Sequence, residues 1–136
     1  MAAVMNNRRY ANQYAAVHTE SIVEESTPHA LIQMLMEGFL MQVNAAKGAI
    51  SRNNFEEKGI HISRAISIVG GLIDGIDEER GGSIAENLTR LYEYINTKLF
   101  QASAENSVDI LDEVSDLMRS VKEAWDAIPE AHRLTQ

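Results

Sequence analysis

The chain has 136 residues, 45% hydrophobic and 24% charged, and no cysteine, which fits one globular domain and excludes disulfide scaffolds, zinc ribbons, thiol nucleophiles and iron–sulfur clusters. Twenty acidic against twelve basic residues give a net charge of −8 and a pI near 4.9, so neither nucleic acid nor an anionic membrane is attracted to it. No apolar run approaches the ~18 residues that span a bilayer, and the Met1–Met5 start turns polar at Asn6, too soon for a signal peptide, so the expectation is a cytosolic protein without membrane insertion.

Residues 1–26 carry a diluted signal. Tyr10, Tyr14 and Val17 share a helical face, but Asn6, Asn7, Asn12 and Gln13 interrupt it. This reads as one short helical segment, loosely docked and partly mobile. The periodicity then strengthens. Ile32, Leu35, Phe39, Val43, Ala46 and Ile50 recur three or four apart and predict a helix from Pro28 to about Ser51. Thr27 before Pro28 supplies an N-cap followed by proline at the first helical position, where its missing N–H costs nothing. Phe55, Ile62, Ile66, Val69, Ile73 and Ile76 predict a second helix over Asn54 to Asp77. Gly81-Gly82 reads as the break after it.

Ile84, Leu88, Leu91, Ile95 and Leu99 predict a third helix over Ile84 to Ala102. Leu111, Val114, Met118, Val121, Trp125 and Ile128 predict a fourth over Ser107 to Ile128. Asn53 with Glu56, Ser83 with Glu86 and Asn106 with Asp109 have the cap-x-x-acid spacing of helix starts. Residues 129–136 read as a frayed tail. No useful stretch alternates as a strand does. Short loops between long amphipathic helices force neighbours antiparallel, so the expected fold is all-α: an up-down-up-down four-helix bundle over residues 27–128.

Signatures of catalysis fail in turn. Neither His18, His29, His61 nor His132 has a Glu three residues before it, so the Glu-x-x-His pairs of a di-metal bundle are absent. No Gly-x-Ser-x-Gly elbow exists. Gly70, Gly71 and Gly75 lack the lysine of a phosphate loop and fall within a helix, where Gly71-x-x-x-Gly75 reads as a place for another backbone to approach. His61 with Arg64 three residues on has the spacing of a histidine phosphotransfer bundle, but Ala65 stands where that motif wants glycine. This is the enzyme-like alternative. A non-catalytic helical adaptor is the other. Seven acids against Arg119 and Lys122 between Ser103 and Ile128 read as a solvated face, or as a guide for a basic partner.

Surplus apolar surface is the feature that asks for a function. From Leu31 to Val43 nine of thirteen residues are large and apolar, more than one core-facing stripe uses. Leu31 and Met34 on the first helix, with Ile60, Ile68 and Leu72 on the second, are the residues expected to line a groove for a partner helix. Methionines suit such a surface because the thioether chain adapts to irregular partners.

The run Gly81-Gly82-Ser83-Ile84-Ala85-Glu86-Asn87-Leu88, then Leu91-Tyr92-Glu93-Tyr94-Ile95 and Leu99, resembles the flagellin-specific flagellar export chaperones, the FliS family. So do Thr27 through Gly38 and Ile110 through Trp125, with Tyr10 and Tyr14 standing where the family carries its N-terminal tyrosines. Met36-Glu37 replaces the family's usual Tyr-Asp, and Ser83 a common Glu. The resemblance implies a cytosolic type III export chaperone, not an enzyme and without cofactor or metal. It would bind the C-terminal region of flagellin and prevent premature polymerisation, with flagellar export gate components as further partners. Tyr10 and Tyr14 would cover the groove in the free protein, and Asn87, Leu91, Tyr92 and Tyr94 carry the family motif.

Overall fold

The computed structural model describes residues 27–133, and residues 1–26, with Tyr10 and Tyr14, lie outside them. Four helices follow in order: α1, Pro28–Ser51; α2, Phe55–Asp74; α3, Glu78–Glu105; α4, Val108–Asp126. Each packs on its chain neighbour, and α4 closes the ring on α1. With connections of only a few residues the neighbours must run antiparallel. The bundle is therefore the one that the periodicity predicts. A 3-10 turn at Glu130–His132 follows α4, and the Arg133 side chain donates to the Ile128 carbonyl at 2.9 Å, so this part of the expected tail is folded back.

The core is the predicted stripe of each helix. Phe39 and Val43 of α1, Ile62 and Val69 of α2, Ile95 and Leu99 of α3, and Leu111, Val114 and Met118 of α4 are fully or almost fully buried together. The α1–α2 pairing is the most extensive of the four. Gly38, Ala46 and Ala49 are buried in α1 and Ala65 in α2, and such small residues let two helices come close.

Local chemistry sets the ends of the helices. The Thr27 hydroxyl accepts from the Ala30 N–H at 3.1 Å, as expected. The other caps differ from the sequence reading by a residue or more. Asn54, not Asn53, caps α2: it accepts from the Glu57 N–H at 3.2 Å and donates to the Glu57 carboxylate at 2.9 Å. Ser107, not Asn106, caps α4 by accepting from Ile110 N–H at 3.1 Å. Asn53 and Asn106 instead adopt left-handed backbone, φ 57° and 52°, which a short polar side chain tolerates where the chain must turn.

The break between α2 and α3 lies at Gly75–Asp77, before the glycine pair, and Asp77 caps α3 by accepting from the Arg80 N–H at 3.2 Å. Gly81-Gly82 bends α3 instead of starting it. Gly82 takes φ 56° and ψ −129°, which a residue with a Cβ adopts only under strain. Gly81 is equally constrained, because a Cβ there would lie 2.5 Å from that of Ala85. The first turn of α3 is thus set at an angle to the rest of the helix.

Candidate functional site

At the end of the bundle where α1 and α3 begin and α2 and α4 finish, the helices do not close over their own core. An apolar cleft of about 320 Å³ opens there. Ile32 and Met36 of α1 form one side and Leu72 the floor, with Ile76 just after α2. Ile84, Leu88 and Tyr92 line the α3 side, and Val121 and Trp125 the α4 side. Only Asp77 and Arg80 bring charge to the lining, and they pair with each other at 3.5 Å. Burial pushes the Tyr92 hydroxyl far above its ordinary titration range, as expected for a ring fixed in apolar surroundings.

Why the space is empty can be read from the chain. Gly75 and Gly81 stand in the lining and bring no side chain to it, and Gly82 bends α3 beside it. A Cβ at Gly75 would meet Ile32 Cδ1 at an ordinary 3.6 Å, so no close backbone approach requires this glycine, contrary to the Gly71-x-x-x-Gly75 reading. The bend at Gly82 leaves Ile84 at the mouth with 77% of its surface in water. A large aliphatic side chain that exposed beside an apolar hollow is a surface left for something else to cover.

Polar contacts hold the α1–α4 side of the cleft. Trp125 Nε1–H donates to the His29 carbonyl at 3.0 Å, and Gln33 donates to the Asp126 carboxylate at 2.8 Å. Lys122 donates to the other Asp126 oxygen at 2.6 Å and lies 3.6 Å from Glu37. Burial alone would raise the Asp126 titration, but the bonds from Lys122 and Gln33 bring it below the ordinary carboxylate value. A wider hollow nearby is lined by Asp74, Asp77, Glu78 and Glu79, but no group of three His, Cys, Asp or Glu among the described residues is placed to hold a metal ion.

The structure divides the residues expected to bind a partner. Leu72 and Tyr92 border the cleft. Ile68 does not belong with them: it is 0% exposed, because the close α1–α2 pairing takes it into the core. Leu31 and Met34 are half-buried on α1, and Ile60 is 44% exposed on α2, all outside the cleft lining. On α3, Asn87 is exposed and Leu91 packs on the core from its edge. Tyr94 faces α4, where its hydroxyl donates to Glu113, and that bond raises its titration. His61 is half-buried with Nδ1 2.8 Å from Gln42 Oε1, while Arg64 is exposed.

Ile32, Met36, Ile76, Ile84, Leu88, Val121 and Trp125 are the cleft residues that the surplus-surface argument missed. Most belong to the core-facing stripes and looked already spent. The available signal was the concentration of glycines at the same end of the bundle as these side chains.

A helical bundle with an apolar cleft at one end presents a surface that an apolar segment can cover. The sequence comparisons sharpen this. The family model for the flagellar protein FliS matches residues 10–132. The flagellar secretion chaperone FliSB of Pseudomonas aeruginosa is 48% identical over 116 residues, covering 85% of this chain and 92% of its own. The flagellar secretion chaperones FliS of Salmonella typhimurium and Vibrio cholerae are 39% and 36% identical, covering 85% and 90% of this chain and 86% and 90% of theirs. This chain belongs to the FliS family of flagellar secretion chaperones. A family of chaperones implies a binding role, not an enzymatic one.

Proposed function

We propose that this chain binds the C-terminal region of newly made flagellin in the cytosol and keeps it from polymerising until it is exported. The observation that carries the reading is the apolar cleft at the bundle end, walled by all four helices and left unfilled by any of them. A helical segment with apolar residues three and four apart would seat them against Ile84, Leu88 and Trp125 and remove both surfaces from water. At about 25 cal/mol per Å², a few hundred Å² of burial contributes several kcal/mol, from which the ordering of the segment subtracts. A segment long enough to wrap the bundle also reaches Leu31, Met34 and Ile60 and, along α3, Asn87, Leu91 and Tyr94. These are proposed as secondary contacts. Tyr10 and Tyr14 are proposed as the cover of the cleft before flagellin arrives, and flagellar export gate components as later partners.

Titration calorimetry with a C-terminal flagellin segment tests this. The expected result is one-to-one binding without nucleotide, metal or other cofactor, with a negative heat-capacity change and little dependence on salt, because burial dominates. No binding, or an affinity that collapses between low and moderate salt, contradicts it. The latter would place the contact on the acidic face of α4.

A further inference from the structure

His29 is not part of the cleft lining, yet it backs one of the walls. Its side chain lies flat against Trp125, ring centroids 4.6 Å apart and planes within 10°. The carbonyl of the same residue accepts from the indole N–H at 3.0 Å. One residue therefore fixes Trp125 by both ring and backbone. His29 is only 3% exposed, and its Nε2 is buried without a hydrogen-bond partner among the described residues. That is an unusual state for an imidazole nitrogen, which ordinarily finds a partner when it leaves water.

We infer that His29 is a positioning residue for the cleft: neutral, it holds the Trp125 indole in place as a wall, and protonated, it releases it. The inference rests on the proposed function, since it concerns the same cleft. A proton on the unpartnered nitrogen would put a full charge where nothing accepts its hydrogen bond. Charged groups bear on the ring from three elements. Asp126 on α4 favours the charge, but Lys122 and Gln33 already occupy its two oxygens. Glu37 on α1 faces Lys122 at 3.6 Å. Arg133, after the 3-10 turn, opposes the charge.

Burial has the largest effect and moves His29 below the ordinary value of 6.5, Arg133 acts in the same direction, and Asp126 acts against them. The unfolded chain therefore binds more protons than the folded one just below pH 6.5. The packed arrangement is fully favoured above that pH and loses stability as pH falls through the lowered value. His29 sits in the first turn of α1, whose N–H groups lack helical partners. Releasing the ring then requires fraying one helix end and not unfolding the bundle.

Trp125 is the single tryptophan of the chain, so the emission reports the surroundings of this one residue, and the His29→Phe comparison isolates the contact with His29. In the free protein, emission followed from about pH 7.5 to about pH 5, across the range where histidine titrates, is expected to change sigmoidally with a midpoint below the ordinary histidine value. His29→Phe, which keeps a flat ring and cannot take the proton, is expected to abolish that transition. For a tryptophan-free C-terminal flagellin segment, wild-type affinity is expected to fall severalfold from about pH 7.5 to about pH 5.5, by less than about tenfold because the ring of the free protein titrates below the ordinary histidine value. The ratio between the two pH values is expected to approach one in His29→Phe.

Emission or affinity that does not change with pH in the wild type, or the same transition persisting in His29→Phe, overturns the inference. Should His29→Phe not fold, an NMR titration of the wild-type His29 ring decides: a midpoint at or above the ordinary histidine value overturns it, a lower one coinciding with the emission change supports it. A segment that binds at no pH would defeat the chaperone reading instead, while the emission of the free protein still decides whether His29 and Trp125 are coupled.

Discussion

Replacing Ile84 by Asp is expected to weaken binding of the flagellin segment roughly a hundredfold while leaving the bundle folded. In the free protein Ile84 stands 77% exposed at the cleft mouth, so a carboxylate there remains in water and costs the fold little. In the complex the same position would be covered by apolar side chains, and the carboxylate would have to lose its water without gaining a partner. Truncating an anchor at the centre of an interface typically costs 2 kcal/mol or more. With the added charge, a loss of about 3 kcal/mol is expected, roughly a hundredfold in Kd. The comparison is Ile60→Asp, on a different face of the bundle, where less than about 1 kcal/mol should be lost. Calorimetry on the two variants checks this, with circular dichroism to show both folded. Equal losses at the two positions would place the principal contact outside the cleft.

Val69→Asp is expected to have the largest effect on stability. Val69 is 0% exposed and belongs to the continuous core of all four helices. A carboxylate in that position must either stay charged without a partner or take up a proton, and both are costly. A loss of about 4 kcal/mol or more is a large part of the ~5–15 kcal/mol that stabilises a domain of this kind. Melting followed by circular dichroism should fall by about 15 °C, or the helical signal should be absent at room temperature. Wild-type melting in this variant would mean that α2 is rotated and that its buried face is another one.

The bundle was legible in the sequence because its signal is repeated. Each helix carries five or six apolar residues in the same period, so one misread position does not alter the result. Helix ends rest on single residues and were less legible. At Asn53-Asn54 and at Asn106-Ser107 two adjacent residues are both competent caps, and local sequence does not choose between them. The chain uses the first of each pair for a left-handed turn and the second as the cap. Gly81-Gly82 looked like the boundary before α3 because a glycine pair most often ends a helix. Asp77, with its acceptor reaching Arg80 N–H, begins the helix one turn earlier, and the glycines supply a bend.

The candidate site was legible in kind but not in place. Counting surplus apolar surface on α1 and α2 led to Leu72, which borders the cleft, and to Leu31, Met34, Ile60 and Ile68, which lie outside its lining. Ile68 is core because the small residues of α1 let the two helices come close. The cleft, in contrast, is made of residues whose period marks them as core: Ile32, Leu88 and Val121 face inward and have too little opposite them. A sequence shows which face a residue is on. It does not show the bend at Gly82, which sets the first turn of α3 at an angle and leaves Ile84 exposed at the cleft.

The central claim is that the flagellin segment occupies this cleft and not the outer face of α1 and α2. Amide hydrogen exchange of the full chain, measured alone and saturated with the C-terminal flagellin segment, tests it most directly. Gly82 departs from helical backbone just before Ile84, so faster exchange is expected at the start of α3 in the free protein, where local opening governs it. The expected result is slowed exchange over residues 76–92 and around 121–125 on binding, with little change at 55–64. Slowing confined to 31–45 and 57–64, with the start of α3 exchanging as in the free protein, would contradict the account.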